Sequence, residues 1–296
     1  MTRLTKMNRR RLGWLGVAGL VLLSLVGLAQ YLSMRREAAL QNRLDLLAPM
    51  GRATEVSCTQ VAASKPLVLL ALGQSNAGNH GALGSSASAS VGVIKPITMI
   101  WDGRCIQARD PLPGATGQGA SLWPRLVALL QQDRRDRPIV VAVLALDAST
   151  IEEWTRATSP LRSRLASQLA SMKQLGMPPD AVLWQQGEAD ARGGTTAGQY
   201  ADRLDLLADV LTQGGITAPV YLAKSTVCRS PPSEPIRSAI DARVALKGRW
   251  MSGPDTDALD NASLRHDGCH FSASGLDAAA KLWAAALTCK DCAVLK

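Results

Sequence analysis

Three features of this 296-residue sequence predict an α/β fold, a three-layer α/β/α sandwich around a mostly parallel five-stranded sheet. Short apolar runs, continuous in Val and Leu rather than alternating, recur along the chain as strands buried on both faces do. Between them lie longer stretches with apolar positions at helical spacing. From about Val61 the two kinds of stretch alternate, which points to βα units joined by right-handed crossovers.

In chain order, Leu12 to Leu32 comes first, apolar except for Ser24, Gln30 and Tyr31 and preceded by five basic residues. That length and flank predict a transmembrane signal anchor over 12–32, with a cytoplasmic tail at 1–11 and the rest of the chain exported. The alternative is a secreted protein released after cleavage at Gly27-Leu28-Ala29. Residues 33–60 read as a polar spacer, and 61–296 as the folded domain. Strands are expected at 66–72, 97–101, 138–146, 180–185 and 218–224. Helices are expected at 120–133, 160–175, 196–213, 233–247 and 272–288, with Leu161, Leu165, Leu169 and Met172 on one helical face. Ser85 to Ser90 reads as a mobile loop.

Charge and cysteines narrow the function. The net charge of +9 is concentrated at the start, where Arg3, Lys6, Arg9, Arg10, Arg11, Arg35 and Arg36 face no acidic residue. Without those seven, 26 basic residues stand against 24 acidic ones, about +2, so the body offers no basic stripe for nucleic acid. Six cysteines fit disulfides in an oxidising compartment. The expected pairs are Cys58 with Cys289 or Cys292, and Cys228 with Cys269. A lone Cys289-x-x-Cys292 has no second pair for zinc, and neither a phosphate-binding Gly-x-x-x-x-Gly-Lys loop nor a metal-binding carboxylate cluster is evident.

Four blocks carry the chemistry. Gly73-Gln74-Ser75-Asn76 closes the first strand in a small polar turn, where ligands gather in open α/β sheets. It is not the Gly-x-Ser-x-Gly elbow, because Ala77 fills the last position. Gly117-Gln118-Gly119 opens a helix and offers backbone N–H groups to an oxyanion. Trp184-Gln185-Gln186-Gly187-Glu188-Ala189-Asp190 places amides and acids at the end of a buried strand, a costly arrangement away from a cleft. Asp267 and His270, three residues apart, project to one side of a turn, so the carboxylate can hold the imidazole. The plain alternatives are a turn at the first block, a helix cap at Glu188 or Asp190, and a loop capping the last helix at Asp267–His270.

Taken together, the four blocks resemble the SGNH hydrolases, and more narrowly their sialate O-acetylesterase and acetyl xylan esterase branch, carbohydrate esterase family six. The likeness runs from about Pro66 to Leu287. It implies an SGNH-type, flavodoxin-like fold and a catalytic triad of Ser75, Asp267 and His270. The implied oxyanion hole consists of the N–H groups of Ser75 and Gly119 and the side chain of Gln186. Gln74, Asn76, Glu188 and Trp184 are expected to bind substrate, with Trp101, Trp123 and Trp154 as further sugar-stacking candidates. His80 and His266 are expected at the surface or behind the site. The segment Leu146-Asp147-Ala148-Ser149-Thr150 lacks the glycines of the corresponding family loop.

The resulting expectation is an exported serine esterase acting on an acetylated carbohydrate, with no cofactor and no metal. It is placed at the inner membrane with its domain in the periplasm or outside the cell. The alternatives are a polysaccharide O-acetyltransferase with the same triad and a non-catalytic carbohydrate-binding protein.

Overall fold

A computed structural model describes residues 4–51, 53–82, 95–133 and 137–288, and their side chains apart from those of 4–23 and 133. The Ser85–Ser90 loop and the cysteines Cys289 and Cys292 lie outside the described residues. The chain divides into two units, Met1–Asn42 and Arg43–Lys296.

The first unit is most of a long helix, α1 (Leu4–Leu44). Among the described residues no helix is long and apolar enough to cross a membrane. The expected span 12–32 falls within α1, and its side chains up to residue 23 lie outside the described set.

The second unit is built on one eight-stranded sheet. In chain order it contains β1 (Thr54–Val56), α2 (Cys58–Ala63), β2 (Leu67–Gly73), β3 (Ile97–Trp101), β4 (Arg104–Ala108), α3 (Trp123–Asp133) and β5 (Ile139–Ala145). There follow α4 (Ile151–Thr155), α5 (Pro160–Gln174), β6 (Ala181–Gln185), α6 (Glu188–Gly193), α7 (Ala197–Gln213), β7 (Val220–Lys224), α8 (Glu234–Ala245), β8 (Trp250–Asp255) and α9 (Ala273–Thr288). The strands run in the order β1-β4-β3-β5-β2-β6-β7-β8. Pairing is parallel from β3 to β8, and β4 alone runs against its neighbours.

Among the described residues the sheet therefore has eight strands where five were expected. All five expected strands are present as β2, β3, β5, β6 and β7; the additions are β1, β4 and β8. Two residues, Asp102 and Gly103, connect β3 to β4, and both have positive φ, at 53° and 74°. That is the backbone of a tight hairpin turn, which Asp-Gly favours. β8 escaped the sequence reading because Gly253 and Pro254 interrupt it. β1 has three residues, inside the stretch read as a spacer.

β2 and β5 are buried along their whole length, which requires cover on both faces of the sheet. Each fully buried Leu or Val there contributes about 1.5–3 kcal/mol through removal from water. The helices fall into two packed groups. α3 and α9 are joined by Trp123 and Trp283, ring centroids 6.0 Å apart, and by a buried Arg125–Asp277 ion pair at 2.8 Å. α4, α5, α7 and α8 form the other group, with Arg243 of α8 on Asp205 of α7 at 2.8 Å.

Two disulfides are present among the described residues. Cys228–Cys269 is the expected pair. Cys58 bonds Cys105 of β4, and not a C-terminal cysteine, because β1 lies beside β4 and brings α2 over that strand.

Strand order reverses at β2: the chain leaves it for β3 and β5 on one side and for β6, β7 and β8 on the other. The crevice that opens at such a reversal lies beyond the carboxyl ends of β2, β5 and β6.

Candidate active site

Gly73 ends β2 with φ +155°, and a Cβ there would lie 2.0 Å from the Gln185 carbonyl oxygen. Only glycine lets β2 and β6 run this close together just before the chain turns. Ser75 opens the short 3₁₀ turn Ser75–Ala77 that follows and is 2% exposed. No hydrogen bond joins its Oγ to another described residue.

Asp267 and His270 meet as their spacing predicts. His270 Nδ1 lies 2.9 Å from Asp267 Oδ2. The N–H groups of His270 and Cys269 donate to Asp267 Oδ1 at 2.7 and 2.9 Å. Burial by itself raises the Asp267 pKa, but these donors and the imidazole outweigh it and hold the carboxyl well below its ordinary value. Asp267 is therefore ionised and fixes the ring. With the proton on Nδ1, Nε2 is left as the basic nitrogen.

The serine turn and the histidine loop are tied through their neighbours. Asn76 Nδ2 donates to the Cys269 carbonyl at 3.2 Å and to Glu188 Oε1 at 2.7 Å. Arg265, 2% exposed, also donates to the Cys269 carbonyl and to those of Leu259 and Thr256. The Cys228–Cys269 disulfide holds the same loop from outside. His80 stacks on His270 with ring centroids 5.1 Å apart, and His266 lies 6.1 Å from it on similar terms. Burial lowers the His80 pKa; Asp147 opposes the shift and His270 adds to it.

The expected oxyanion donors fare differently. Ser75 N–H makes no hydrogen bond among the described residues. Gly119 N–H is taken: it donates to the Asn79 carbonyl at 2.7 Å, because this stretch pairs with 79–81. Gly117 N–H makes no such bond, and at φ +97° its position against Asn79 leaves no room for a Cβ. Gln186 is fully buried, and its amide is committed to Ser149 O at 2.9 Å, Asp190 Oδ2 at 2.5 Å and Gln74 Oε1 at 3.3 Å. Tyr200 O–H donates to its Oε1 at 2.8 Å. Gln186 therefore braces the floor of the site and has no N–H to spare.

The four residues expected to bind substrate lie beneath the surface. Gln74 Oε1 accepts from Ala189 N–H at 3.0 Å. Glu188, 1% exposed, accepts from Asn76 and from Ser225 Oγ at 2.9 Å, and its Oε2 has no partner. Burial pushes its pKa up to about 7 against those donors. Trp184 is fully buried, donates to Tyr200 Oη at 3.1 Å and meets Trp154 edge to face at 5.4 Å. Trp154, Trp123 and Trp101 are buried too, the last with the Arg164 guanidinium 4.2 Å over its ring. None of the four tryptophans has a face free for a sugar, because each fills space between the sheet and a helix group.

Sequence reasoning did not find Thr116, which joins the glycine loop to the end of β5. Its Oγ1 accepts from Asp147 N–H at 2.8 Å and lies 3.3 Å from His80 Nε2. Nor did it find Ser225, which lies beyond β7 and far from any motif.

The sequence and the fold are matched by known proteins. The family profile described as carbohydrate esterase, sialic acid-specific acetylesterase matches residues 65–288. Similar solved structures include a protein from Arabidopsis thaliana, 18% identical with TM-score 0.57, covering 75% of this chain and 98% of that one. The crystal structure of NanS is 13% identical with TM-score 0.51, covering 74% and 95%. A novel carbohydrate acetylesterase from Xanthomonas citri is 16% identical with TM-score 0.50, covering 74% of this chain and 55% of that one. No curated protein sequence gives a significant match.

Proposed function

The chain belongs to the carbohydrate esterases of the sialic acid-specific acetylesterase family and is a carboxylic ester hydrolase, and from that premise we propose a serine mechanism for it. Ser75 Oγ attacks the acetyl carbonyl while His270 Nε2 takes its proton, and Asp267 stabilises the imidazolium that forms. The sugar oxygen leaves with that proton, giving an acetyl-enzyme. Water, activated by the same nitrogen, then releases acetate and restores Ser75.

The observation that carries the reading is the pair of bonds that orients the base. His270 Nδ1 is held 2.9 Å from Asp267, and Asn76 ties the residue beside His270 to the residue after Ser75. The free N–H groups of Ser75 and Gly117 are the donors proposed for the oxyanion, in place of Gly119 and Gln186. Loss of one such donor typically lowers turnover on the order of a hundredfold.

The substrate proposed is an O-acetylated carbohydrate outside the cytoplasm. Two disulfides support the compartment, since such bonds persist where thiols are oxidised. Retention at a membrane through residues 12–32 belongs to the same proposal and rests on the sequence alone.

The test is p-nitrophenyl acetate hydrolysis by the full chain, followed by acetate release from O-acetylated sialic acid and acetylated xylo-oligosaccharides. Ser75→Ala and His270→Ala are expected to lose activity while retaining the circular dichroism of the parent. A folded parent no faster than Ser75→Ala overturns the mechanism.

A further inference from the structure

Beyond the ester chemistry, we infer that His80, Asp147 and His270 form a binding site for a divalent transition-metal ion, and that the ion inhibits the enzyme by occupying its base. One ligand atom from each residue, a ring nitrogen from each histidine and a carboxylate oxygen from Asp147, can be chosen so that all lie within 4.8 Å of one another. Two imidazoles and one carboxylate are a ligand set that zinc accepts, with a fourth position left for water. Tetrahedral zinc with bonds of about 2.0–2.1 Å needs its ligands roughly 3.4 Å apart, so modest side-chain rotations close the site.

The surroundings are already those of a metal-binding histidine. His270 Nδ1 is held by Asp267, which fixes the ring and leaves Nε2 bare, the usual arrangement when a carboxylate orients an imidazole toward a metal. His80 is fixed by its stacking on His270 and by Thr116 Oγ1 at 3.3 Å. Asp147 is anchored by its backbone: its N–H donates to Thr116 Oγ1, and its carbonyl accepts from Arg43. The carboxylate itself makes no hydrogen bond or ion pair to a described residue.

A second set, His266, Asp267 and His270, also comes within 4.8 Å. It is disfavoured because it uses the Asp267 carboxylate, whose two oxygens already hold His270 and the loop N–H groups. Inhibition rests on the proposed role of His270; binding does not. An ion on Nε2 takes the lone pair that would accept the Ser75 proton.

Equilibrium dialysis of the full chain against Zn²⁺, with metal analysis, reads binding without reference to activity. One ion per chain is expected, retained in Ser75→Ala and His266→Ala and bound about tenfold or more weakly in Asp147→Ala and in His80→Gln. In parallel, Zn²⁺ is expected to slow p-nitrophenyl acetate hydrolysis, with a correspondingly higher concentration needed in Asp147→Ala. Absence of a stoichiometric ion, or equal binding by Asp147→Ala and His80→Gln, overturns the site. Stoichiometric binding that leaves hydrolysis unchanged overturns the inhibitory role. An inactive chain that still binds one ion through these residues fails the esterase mechanism and leaves the site standing.

Discussion

Asn76 Nδ2 donates at once to the Cys269 carbonyl, at 3.2 Å, and to Glu188 Oε1, at 2.7 Å, so one buried amide joins the loop after β2, the loop before α9 and the turn after β6. These segments are far apart in the chain. Their common meeting point is a side chain 4% exposed to solvent.

Asn76→Ala leaves Glu188 with one fewer donor in a buried position. The expected cost is about 1–3 kcal/mol of stability, read from urea denaturation. kcat for acetyl ester cleavage is expected to fall by more than the loss of folded protein explains, since the Cys269 carbonyl beside His270 keeps Arg265 but loses its tie to the serine turn. Unchanged kcat in a destabilised variant would assign Asn76 to packing alone.

The two disulfides close loops of similar size, with separations of 41 and 47 residues, and the chain-entropy argument gives each about 4 kcal/mol. Removing either as a Ser/Ser pair is therefore expected to cost comparable stability. Activity is expected to separate them, because only Cys228–Cys269 holds the His270 loop. At a temperature where both variants are fully folded, the Cys228→Ser/Cys269→Ser enzyme should be the slower; equal kcat/KM values refute this.

Glu188 should impose a pH dependence on stability. Its carboxyl sits at about 7 in the folded chain against an ordinary value of 4.5, raised by burial, so the folded state holds the proton more tightly than the unfolded state. This contribution is fully present below about pH 4.5 and is lost as pH rises through about 7. Glu188→Gln keeps the shape and removes the titration. Across that window the urea midpoint of the wild type should fall relative to that of the variant, and parallel curves would show that burial does not control this proton.

Asp277→Ala strands the Arg125 guanidinium between α3 and α9, where both side chains of the pair are nearly inaccessible. A loss of about 3–5 kcal/mol is expected in denaturant unfolding. Acetyl ester turnover per folded molecule should hardly change, since the pair belongs to helix packing and not to the serine turn.

Much of this architecture is legible in the sequence because burial on both faces writes itself as uninterrupted Val and Leu, as in β2 and β5. β4 could have been read from Asp102-Gly103, a hairpin signal that follows the apolar end of β3. β8 could not, because Gly253 and Pro254 argue against a strand and only pairing with β7 overrides them. In the site, the Asp267–His270 contact is local and follows from a three-residue spacing. The fates of Gly119 and Gln186 are mostly not local: one N–H is taken by Asn79 and one amide by Ser149 and Gln74, partners that only the tertiary fold supplies, with Asp190 the one neighbour in sequence. The tryptophans mislead for a similar reason, since composition cannot tell a ring that stacks on sugar from one that fills a helix–sheet gap.

The edges of the sheet carry a consequence for self-association. At one end β1 offers three residues, and α2, which follows it, is clipped to β4 by Cys58–Cys105. At the other end β8 contains Pro254, which has no N–H to give, and its pairing with β7 is broken by a register shift between Leu222 and Lys224. A foreign strand finds no long, flat row of donors and acceptors at either margin, so neither edge templates the growth of a β-aggregate.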